Sequence, residues 1–175
     1  MVATITAERY DAVLFDLDGV LTKTAAVHEA AWKAMFDAFL RDRARHRHEA
    51  FHPFTDDDYV RYVDGRPRTD GVISFLASRS VTVPVGSPSD GPDRETAWGL
   101  GNRKNEQFHR VLDEQGVEPY PDGVALLRGV RAAGIRTAVV SSSENTSAVL
   151  EAAEIYDLFD ARVDGTTVER LAGDV

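Results

Sequence analysis

Residues 12–22 read Ala-Val-Leu-Phe-Asp-Leu-Asp-Gly-Val-Leu-Thr. Four apolar residues followed by carboxylates and a glycine are typical of a buried parallel strand that ends in a sharp loop. Asp16 and Asp18 then lie at the carboxyl end of the strand, where ligands of open α/β sheets bind. Carboxylates at i and i+2 lie on one side of an extended segment. Beside a Mg²⁺ ion, one can attack a phosphorus atom while the other transfers a proton.

A second polar cluster follows a second predicted strand. Residues 136–140 predict a short strand that ends in Ser-Ser-Ser at 141–143, with a helix from Thr146 and a third strand at 161–163. Hydroxyl and N–H groups at this strand end, beside the positive end of a helix, can hold phosphoryl oxygens. A serine-rich strand end by itself more often caps a helix. The presence of both polar clusters in one sheet, in this order, strengthens the functional interpretation of each.

The order of elements predicts an α/β fold: a Rossmann-like parallel sheet with an inserted α-helical cap. The helical stretch between the first two strands, about 90 residues, is too long for an ordinary crossover. We predict core residues 1–22, a helical cap at 23–115 and the continuation of the core at 116–175. Within that continuation, residues 120–123 (Tyr-Pro-Asp-Gly) predict a turn before a helix from Val124.

Composition and net charge argue against several classes of protein. The chain has 175 residues, 43% hydrophobic and 28% charged, which is ordinary for a globular protein. A net charge of −9 disfavours nucleic-acid binding, and the basic run at 41–48 is typical of a solvated helix face. No apolar run is long enough to span a membrane, no signal peptide is evident, and no cysteine is present. The expected location is cytoplasmic.

Residues 15–22 and 138–141 resemble the first and second motifs of the haloacid dehalogenase superfamily of phosphotransfer enzymes. The Gly-Val-Leu-Thr continuation is typical of its β-phosphoglucomutase-like members. The resemblance implies that Asp16 is the nucleophile and a Mg²⁺ ligand. Asp18 would supply a backbone carbonyl to the metal and a side chain as general acid/base. Ser141 and Ser142 would bind the phosphoryl group.

The predicted cap resembles the same subfamily, which implies further substrate-binding residues. His28 belongs to a His-x-x-Ala-Trp pattern, Arg68 ends a Gly-Arg-Pro-Arg loop, and Lys104 lies in an Arg-Lys-Asn segment. Ser143 and Asn145 align with residues that contact the substrate near its phosphate. Cap closure would bring the cap cations over the substrate. The alternatives are a packed or capping histidine, a surface loop arginine and a solvated helix lysine.

The sequence departs from the family pattern in three ways. Glu144 stands where sugar-phosphate mutases usually carry lysine, and Lys23 where the family usually has an acidic residue. No lysine follows Lys104, so the family's third motif, a lysine, has no counterpart. The fourth motif, an acidic pair that holds Mg²⁺, normally lies beyond Val175. We therefore expect a core that is incomplete at its C-terminus, with a sheet edge open to self-association.

Two functions remain open. The first is Mg²⁺-dependent phosphotransfer on a small sugar phosphate through an aspartyl-phosphate. The enzyme would be a mutase if a sugar hydroxyl accepts the phosphoryl group from Asp16, and a phosphatase if water accepts it. The alternative is a catalytically inactive fragment or domain that binds phosphorylated metabolites or a protein partner. Neither involves nucleic acid or a membrane.

Overall fold

The computed structural model describes residues 4–167, so the last eight residues of the predicted core segment 116–175 lie outside the described part. Its strands are β1 (Ala12–Asp16), β2 (Arg136–Val140) and β3 (Ala161–Val163). Its α-helices are α1 (Thr24–Arg47), α2 (Asp56–Asp58), α3 (Arg68–Ser78), α4 (Ala97–Gln115), α5 (Pro121–Ala132) and α6 (Thr146–Ala152). A π-helix covers Tyr59–Val63 and a 3₁₀ helix covers Tyr156–Leu158.

The strands form one parallel sheet in the order β1-β2-β3. Leu14 pairs with Ala138, and Asp16 pairs with Val140, so the carboxyl ends of β1 and β2 lie side by side. The predicted α/β fold with a parallel sheet is confirmed. Its parallel pairing follows from the helical connections, because only a long crossover returns the chain in the same direction.

The chain divides into two compact units, one formed by Met1–Ala25 with Leu112–Val175 and the other by Ala26–Val111. The first contains the sheet, α5 and α6. One side of its sheet is packed: Phe15 and Val139 are buried, and the Phe15 and Phe159 rings meet edge to face at 6.3 Å. The domain limits at residues 22 and 115, which the sequence suggested, stay predictions.

The second unit is built around buried aromatic rings. Phe36 stacks on Trp32 at 5.2 Å and meets Phe75 at 4.2 Å, and Phe54 packs against both Phe36 and Phe75. The first helix supplies Trp32 and Phe36 from consecutive turns of one face, as its 3.6-residue apolar period predicts.

The expected turn at 120–123 is wrong. Helix α5 begins at Pro121, with Tyr120 as its N-cap residue. Proline suits the first position of a helix, because its fixed φ is helical and the N–H it lacks would have no partner there. Within residues 4–167, no helix combines the length and apolar character that a bilayer crossing requires.

Candidate active site

The end of β1 and the loop that follows it present two exposed carboxylates, those of Asp16 and Asp18. Asp16 Oδ1 accepts the backbone N–H of Leu17 at 2.7 Å. The buried Leu17 anchors the loop, since its carbonyl accepts the N–H groups of Leu21 at 2.9 Å and Thr22 at 3.1 Å. Gly19 adopts φ +76°, a backbone conformation that residues other than glycine rarely take. The sequence folds locally into a tight turn that leaves the carboxylates in solvent.

Asp18 joins the two polar clusters that the sequence predicted. Its Oδ1 accepts the hydroxyl of Thr24, and its Oδ2 accepts the hydroxyl of Ser141 at 3.3 Å. Thr24 and Ser141 are both buried. The loop after β1 is therefore hydrogen-bonded to the loop after β2. Sequence reasoning missed Thr24, and the only signal for it was a hydroxyl residue at the start of a helix.

The loop after β2 is held by its own hydroxyls. Ser141 Oγ accepts the N–H of Ser143, and Ser143 Oγ accepts the N–H of Asn145, each at 3.1 Å. The Ser143 carbonyl accepts the hydroxyl of Thr146 at 2.8 Å. Asn145 is buried, whereas Ser142 is exposed. Six of the predicted site residues thus lie in the first unit, at the end of β1 or in the loops after β1 and β2: Asp16, Asp18, Ser141, Ser142, Ser143 and Asn145.

Two glycines that sequence reasoning missed let other segments approach these loops. A Cβ on Gly165 would lie 2.6 Å from the carbonyl oxygen of Ser142 and 3.1 Å from the nitrogen of Glu144. A Cβ on Gly123, in the first turn of α5, would lie 2.6 Å from the carbonyl oxygen of Val20. Side chains do not fit at either place, so these positions require glycine. A Cβ clash cannot be read from a single sequence.

The second unit places two of the predicted cap residues in direct contact. Lys104 Nζ lies 2.8 Å from Nδ1 of His28, and the same ammonium lies 5.4 Å from the Trp32 ring centre and 4.9 Å from that of Phe108. The His28 ring packs on Phe108 at 4.5 Å. Lys104 is buried, so it is not the solvated helix lysine that was its alternative interpretation.

Burial lowers the pKa of His28 to about 3, and the positive charges of Lys104 and Arg68 act in the same direction. A neutral imidazole nitrogen can accept a hydrogen bond from the ammonium, whereas both nitrogens of a charged imidazolium are donors. His28 Nδ1 therefore acts as acceptor and Lys104 as donor.

Arg68 opens helix α3, and its side chain runs along Gly101 of α4. A Cβ on Gly101 would lie 3.1 Å from Cδ of Arg68, a tight contact. Arg68 is half-buried, and its positive charge helps to lower the pKa of His28. The substrate-binding roles of His28, Arg68 and Lys104 stay predictions.

The first unit offers oxygen atoms, which are the ligands that a hard cation binds, but it offers only a few of them. Among residues 4–167, no group of three or more His, Asp or Glu side chains is arranged to hold a metal. The exposed Asp16 carboxylate and the Asp18 carbonyl are oxygen donors, the type that Mg²⁺ prefers. A Mg²⁺ ion there would keep several waters, as this ion commonly does.

Comparison with known proteins identifies the family. A family model described as haloacid dehalogenase-like hydrolase matches residues 10–174. The chain is 50% identical over 169 residues to a Mycobacterium bovis protein named beta-phosphoglucomutase, covering 95% of this chain and 64% of that protein. A Bacillus subtilis protein of the same name is 29% identical over 160 residues and covered to 62% of its length.

Solved structures agree on the fold. The chain matches CbbY from Rhodobacter sphaeroides, crystallised as a mutant with xylulose-(1,5)bisphosphate, with a TM-score of 0.64, 20% identity, and coverage of 89% of this chain and 63% of that one. It also matches a HAD family hydrolase from Deinococcus radiodurans with bound phosphate and sodium, with a TM-score of 0.55, 26% identity, and coverage of 91% and 60%. The chain thus spans less than two thirds of the length of these relatives. The predicted family is confirmed, and the chain belongs to the haloacid dehalogenase-like hydrolase family.

Proposed function

We propose that this chain carries the nucleophilic half of a Mg²⁺-dependent phosphotransferase that acts on a small sugar phosphate. The observation that carries the proposal is the hydrogen bond between Asp18 and Ser141. It joins the proposed acid/base group, two residues beyond Asp16, to the proposed phosphate-binding loop, which begins one residue beyond Val140, the register partner of Asp16. Nucleophile, proton donor and phosphate-binding hydroxyls then belong to one sheet edge.

The proposed reaction has two steps. An oxygen of Asp16 forms a bond to phosphorus while the bond from phosphorus to the sugar oxygen breaks, and Asp18 gives its proton to the leaving oxygen. Asp18 then takes a proton from an incoming hydroxyl, which attacks phosphorus and releases Asp16. Thr24 and Ser141 hold the two oxygens of Asp18 and so fix its orientation.

The cation belongs to the proposal as well. The Asp16 carboxylate and the Asp18 backbone carbonyl would hold Mg²⁺. When bound, the ion neutralises negative charge on the phosphoryl oxygens, which would otherwise repel an anionic nucleophile.

The acceptor in the second step decides between a mutase and a phosphatase. Two relatives carry the name beta-phosphoglucomutase, which supports a sugar hydroxyl as acceptor and a glucose phosphate as substrate. The exposed Glu144 in the phosphate-binding loop supports water instead, because its negative charge disfavours a second phosphate group nearby. We place Arg68 and Lys104 among the substrate-binding residues, supported by the concentration of positive charge around His28.

The test compares this chain with Asp16→Asn in two assays with Mg²⁺: phosphate release from a panel of hexose phosphates, and conversion of β-glucose 1-phosphate to glucose 6-phosphate. Asp11→Asn, an exposed aspartate just before β1, is the matched control. We expect turnover in the parent and the control but none in Asp16→Asn. Acid-quenched parent protein should also gain the mass of one phosphoryl group.

Equal turnover by Asp16→Asn would refute the nucleophilic role. Binding of a hexose phosphate without turnover, equally tight in parent and Asp16→Asn, would favour the alternative of a domain that only binds phosphorylated metabolites.

A further inference from the structure

A cleft of about 130 Å³ lies at the C-terminal end of α1, in the unit formed by Ala26–Val111. The last turns of α1, the segment that follows α1 and the segment that follows α3 form its walls. None of the residues named above for catalysis, phosphate binding or substrate binding lines it. The cleft therefore shares no residue with the candidate active site.

The buried part of the cleft is apolar. Leu40 and Ala44 lie one turn apart on the same face of α1, and Val81 follows α3. All three are buried, so they offer hydrocarbon surface to whatever enters the cleft. Such surface favours a ligand with a hydrocarbon part, because contact removes that part from water.

Arg79 brings to the cleft a guanidinium that is already held in place. Its Nη2 donates to Oδ2 of Asp58 at 2.7 Å and to the carbonyl of Pro53 at 3.3 Å, and the group lies 5.3 Å from the Phe75 ring centre. With respect to residues 4–167, its Nε and Nη1 make no hydrogen bond. A guanidinium held in this way loses little side-chain freedom when it donates to a carboxylate.

Arg43 is a second cation on the cleft. It is only partly exposed, whereas the other polar side chains of the run at 41–48 are exposed. Among the described residues, its side chain has neither a hydrogen-bond partner nor an ion pair. Its guanidinium N–H groups are therefore available to a ligand.

The charge around the cleft favours an anion with a single negative charge. Residues 40–52 contain four arginines and two acidic residues, so this segment is positive in a chain whose net charge is −9. The other polar side chains on the cleft are those of His52 and Glu49, both exposed. Glu49 repels each negative charge that a ligand carries, which disfavours a dianion more than a monoanion.

The end of α1 opposes an anion only in part. The last carbonyls of a helix carry partial negative charge. Here the Ala44 carbonyl accepts the N–H of Glu49 at 3.0 Å, and the Arg45 carbonyl accepts the N–H of His48 at 3.5 Å. These bonds satisfy two of the carbonyls that would otherwise face the solvent.

The size of the cleft narrows the class of ligand. Pockets for drug-sized ligands have volumes of about 300–1,000 Å³, whereas a cavity of about 150 Å³ holds benzene. At about 130 Å³, the cleft suits a molecule with about as many non-hydrogen atoms as benzene. A short aliphatic carboxylate combines this size with one negative charge and a hydrocarbon part. Inorganic phosphate lacks the hydrocarbon part and carries more negative charge at neutral pH.

We propose that this cleft binds a small organic monocarboxylate. The carboxylate accepts N–H groups of Arg43 and Arg79, whose planar guanidinium groups match its geometry. The hydrocarbon part contacts Leu40, Ala44 and Val81. The inference does not rest on the proposed function, because the cleft shares no residue with the candidate active site and binding is measured without turnover.

The probe is butyrate, which has as many non-hydrogen atoms as benzene, added to the full chain at fixed pH and ionic strength. The readout is the imidazole signal of His52 in nuclear magnetic resonance spectra, identified by its loss in His52→Gln. We expect butyrate to shift this signal saturably. The signal of His109, an exposed histidine of the same unit that does not line the cleft, should not move.

Two further ligands separate the contributions of charge and hydrocarbon. Butyramide has nearly the same shape as butyrate but no charge, and inorganic phosphate has charge but no hydrocarbon. Each should bind at least tenfold more weakly than butyrate.

Variants of the lining residues test the same assignment. Arg43→Gln should weaken butyrate binding at least tenfold, because it removes the charge and the paired donors. Arg45→Gln is the matched control, an exposed arginine of the same helix that does not line the cleft, and should stay within twofold of the parent. Glu49→Gln should tighten binding, because it removes a negative charge beside the carboxylate. Circular dichroism checks that the variants fold.

Any of three results would overturn the proposal. The first is a His52 signal that butyrate does not shift saturably. The second is equal butyrate affinity in the parent and a folded Arg43→Gln variant. The third is binding of butyramide or inorganic phosphate that equals or exceeds that of butyrate, since the cleft would then not select a monocarboxylate.

Discussion

Asp18 is the residue on which the candidate site converges. Its carboxylate accepts one hydroxyl from the start of α1 and one from the loop after β2. The family resemblance predicted Ser141 as a phosphate-binding residue, whereas Thr24 was not predicted as a site residue. The reason is that Thr24 lies six positions beyond Asp18, and the turns of the intervening loop bring the two side chains together.

Replacing Thr24 by valine tests this contact. The change removes a hydroxyl that donates to a carboxylate, and hydrogen bonds to charged groups contribute about 1.5–3 kcal/mol. If that bond orients Asp18 for proton transfer, kcat should fall roughly tenfold or more with little change in KM. Thr24→Ser keeps the hydroxyl and should remain close to the parent. A larger KM with unchanged kcat in Thr24→Val would argue against the orienting role.

His28 makes stability depend on pH in a direction that its pKa defines. Its pKa in the folded protein, about 3, lies below its ordinary value of 6.5, chiefly because of burial. Between these values the unfolded chain binds a proton that the folded chain does not. The free energy of unfolding should therefore decrease as pH falls from about 6.5 toward 3, by up to about 1.4 kcal/mol per pH unit from this group.

Urea unfolding at pH 6 and pH 4.5 measures this dependence. His28→Gln removes the titrating group while keeping an acceptor for Lys104, so its stability should fall less with acid than that of the parent. His109→Gln, at an exposed position in the same unit, should fall as the parent does. Identical pH slopes in parent and His28→Gln would contradict a buried, neutral His28.

At the scale of elements, the loops that carry the site depend on close backbone approaches. The segment after β3 meets the loop after β2 at Gly165, and α5 meets the loop after β1 at Gly123. The Gly165 N–H also donates to the Ser143 carbonyl at 3.2 Å. These contacts attach the two loops to neighbouring segments of the first unit.

Gly165→Ala should disturb the proposed phosphate-binding loop. Its methyl group would lie 2.6 Å from the Ser142 carbonyl, so the loop must shift. We expect weaker binding of inorganic phosphate and of hexose phosphates, by roughly tenfold, as measured by calorimetry. Gly129→Ala is the control, because nothing lies within 4 Å of that Cβ in α5, and alanine there should stabilise the helix by about 1 kcal/mol. Unchanged phosphate binding in Gly165→Ala would remove this loop from the site.

At the scale of the whole molecule, the unit formed by Ala26–Val111 has its own hydrophobic core. Phe36, Phe54 and Phe75 are fully buried, with ring centres 4.2–5.2 Å apart. Rings in such arrangements contribute beyond the area they bury. Trp32 stacks on this cluster and also carries the Lys104 ammonium over its ring, so the core supports the charged residues directly.

Phe75→Ala should lower the free energy of unfolding by about 3–5 kcal/mol, because it leaves a cavity in this core. Ile73→Ala is the control, since Ile73 lies on the same helix and is 41% exposed. Denaturant unfolding monitored by far-ultraviolet circular dichroism measures both. A loss below about 1 kcal/mol for Phe75→Ala would mean that the core collapses around the gap or contributes little to stability.

The sequence by itself determined the elements and the chemistry at the strand ends. An apolar run followed by carboxylates predicted β1 and its loop, and the same logic predicted β2 and its serines, because strand periodicity and polarity are local properties. The family followed from those same motifs. The basic residues that end α1 also followed a local rule, the helix dipole.

Only the tertiary structure decided which residues meet. The contacts of Asp18 with Thr24, of Lys104 with His28, and of Gly165 with the Ser142 carbonyl join segments separated by loops or helices. The sequence also did not show which side of the sheet is exposed. Leu14 and Phe15 are both apolar, and only packing leaves Leu14 exposed while Phe15 is buried. Local patterns specify elements, whereas burial and pairing depend on how those elements assemble.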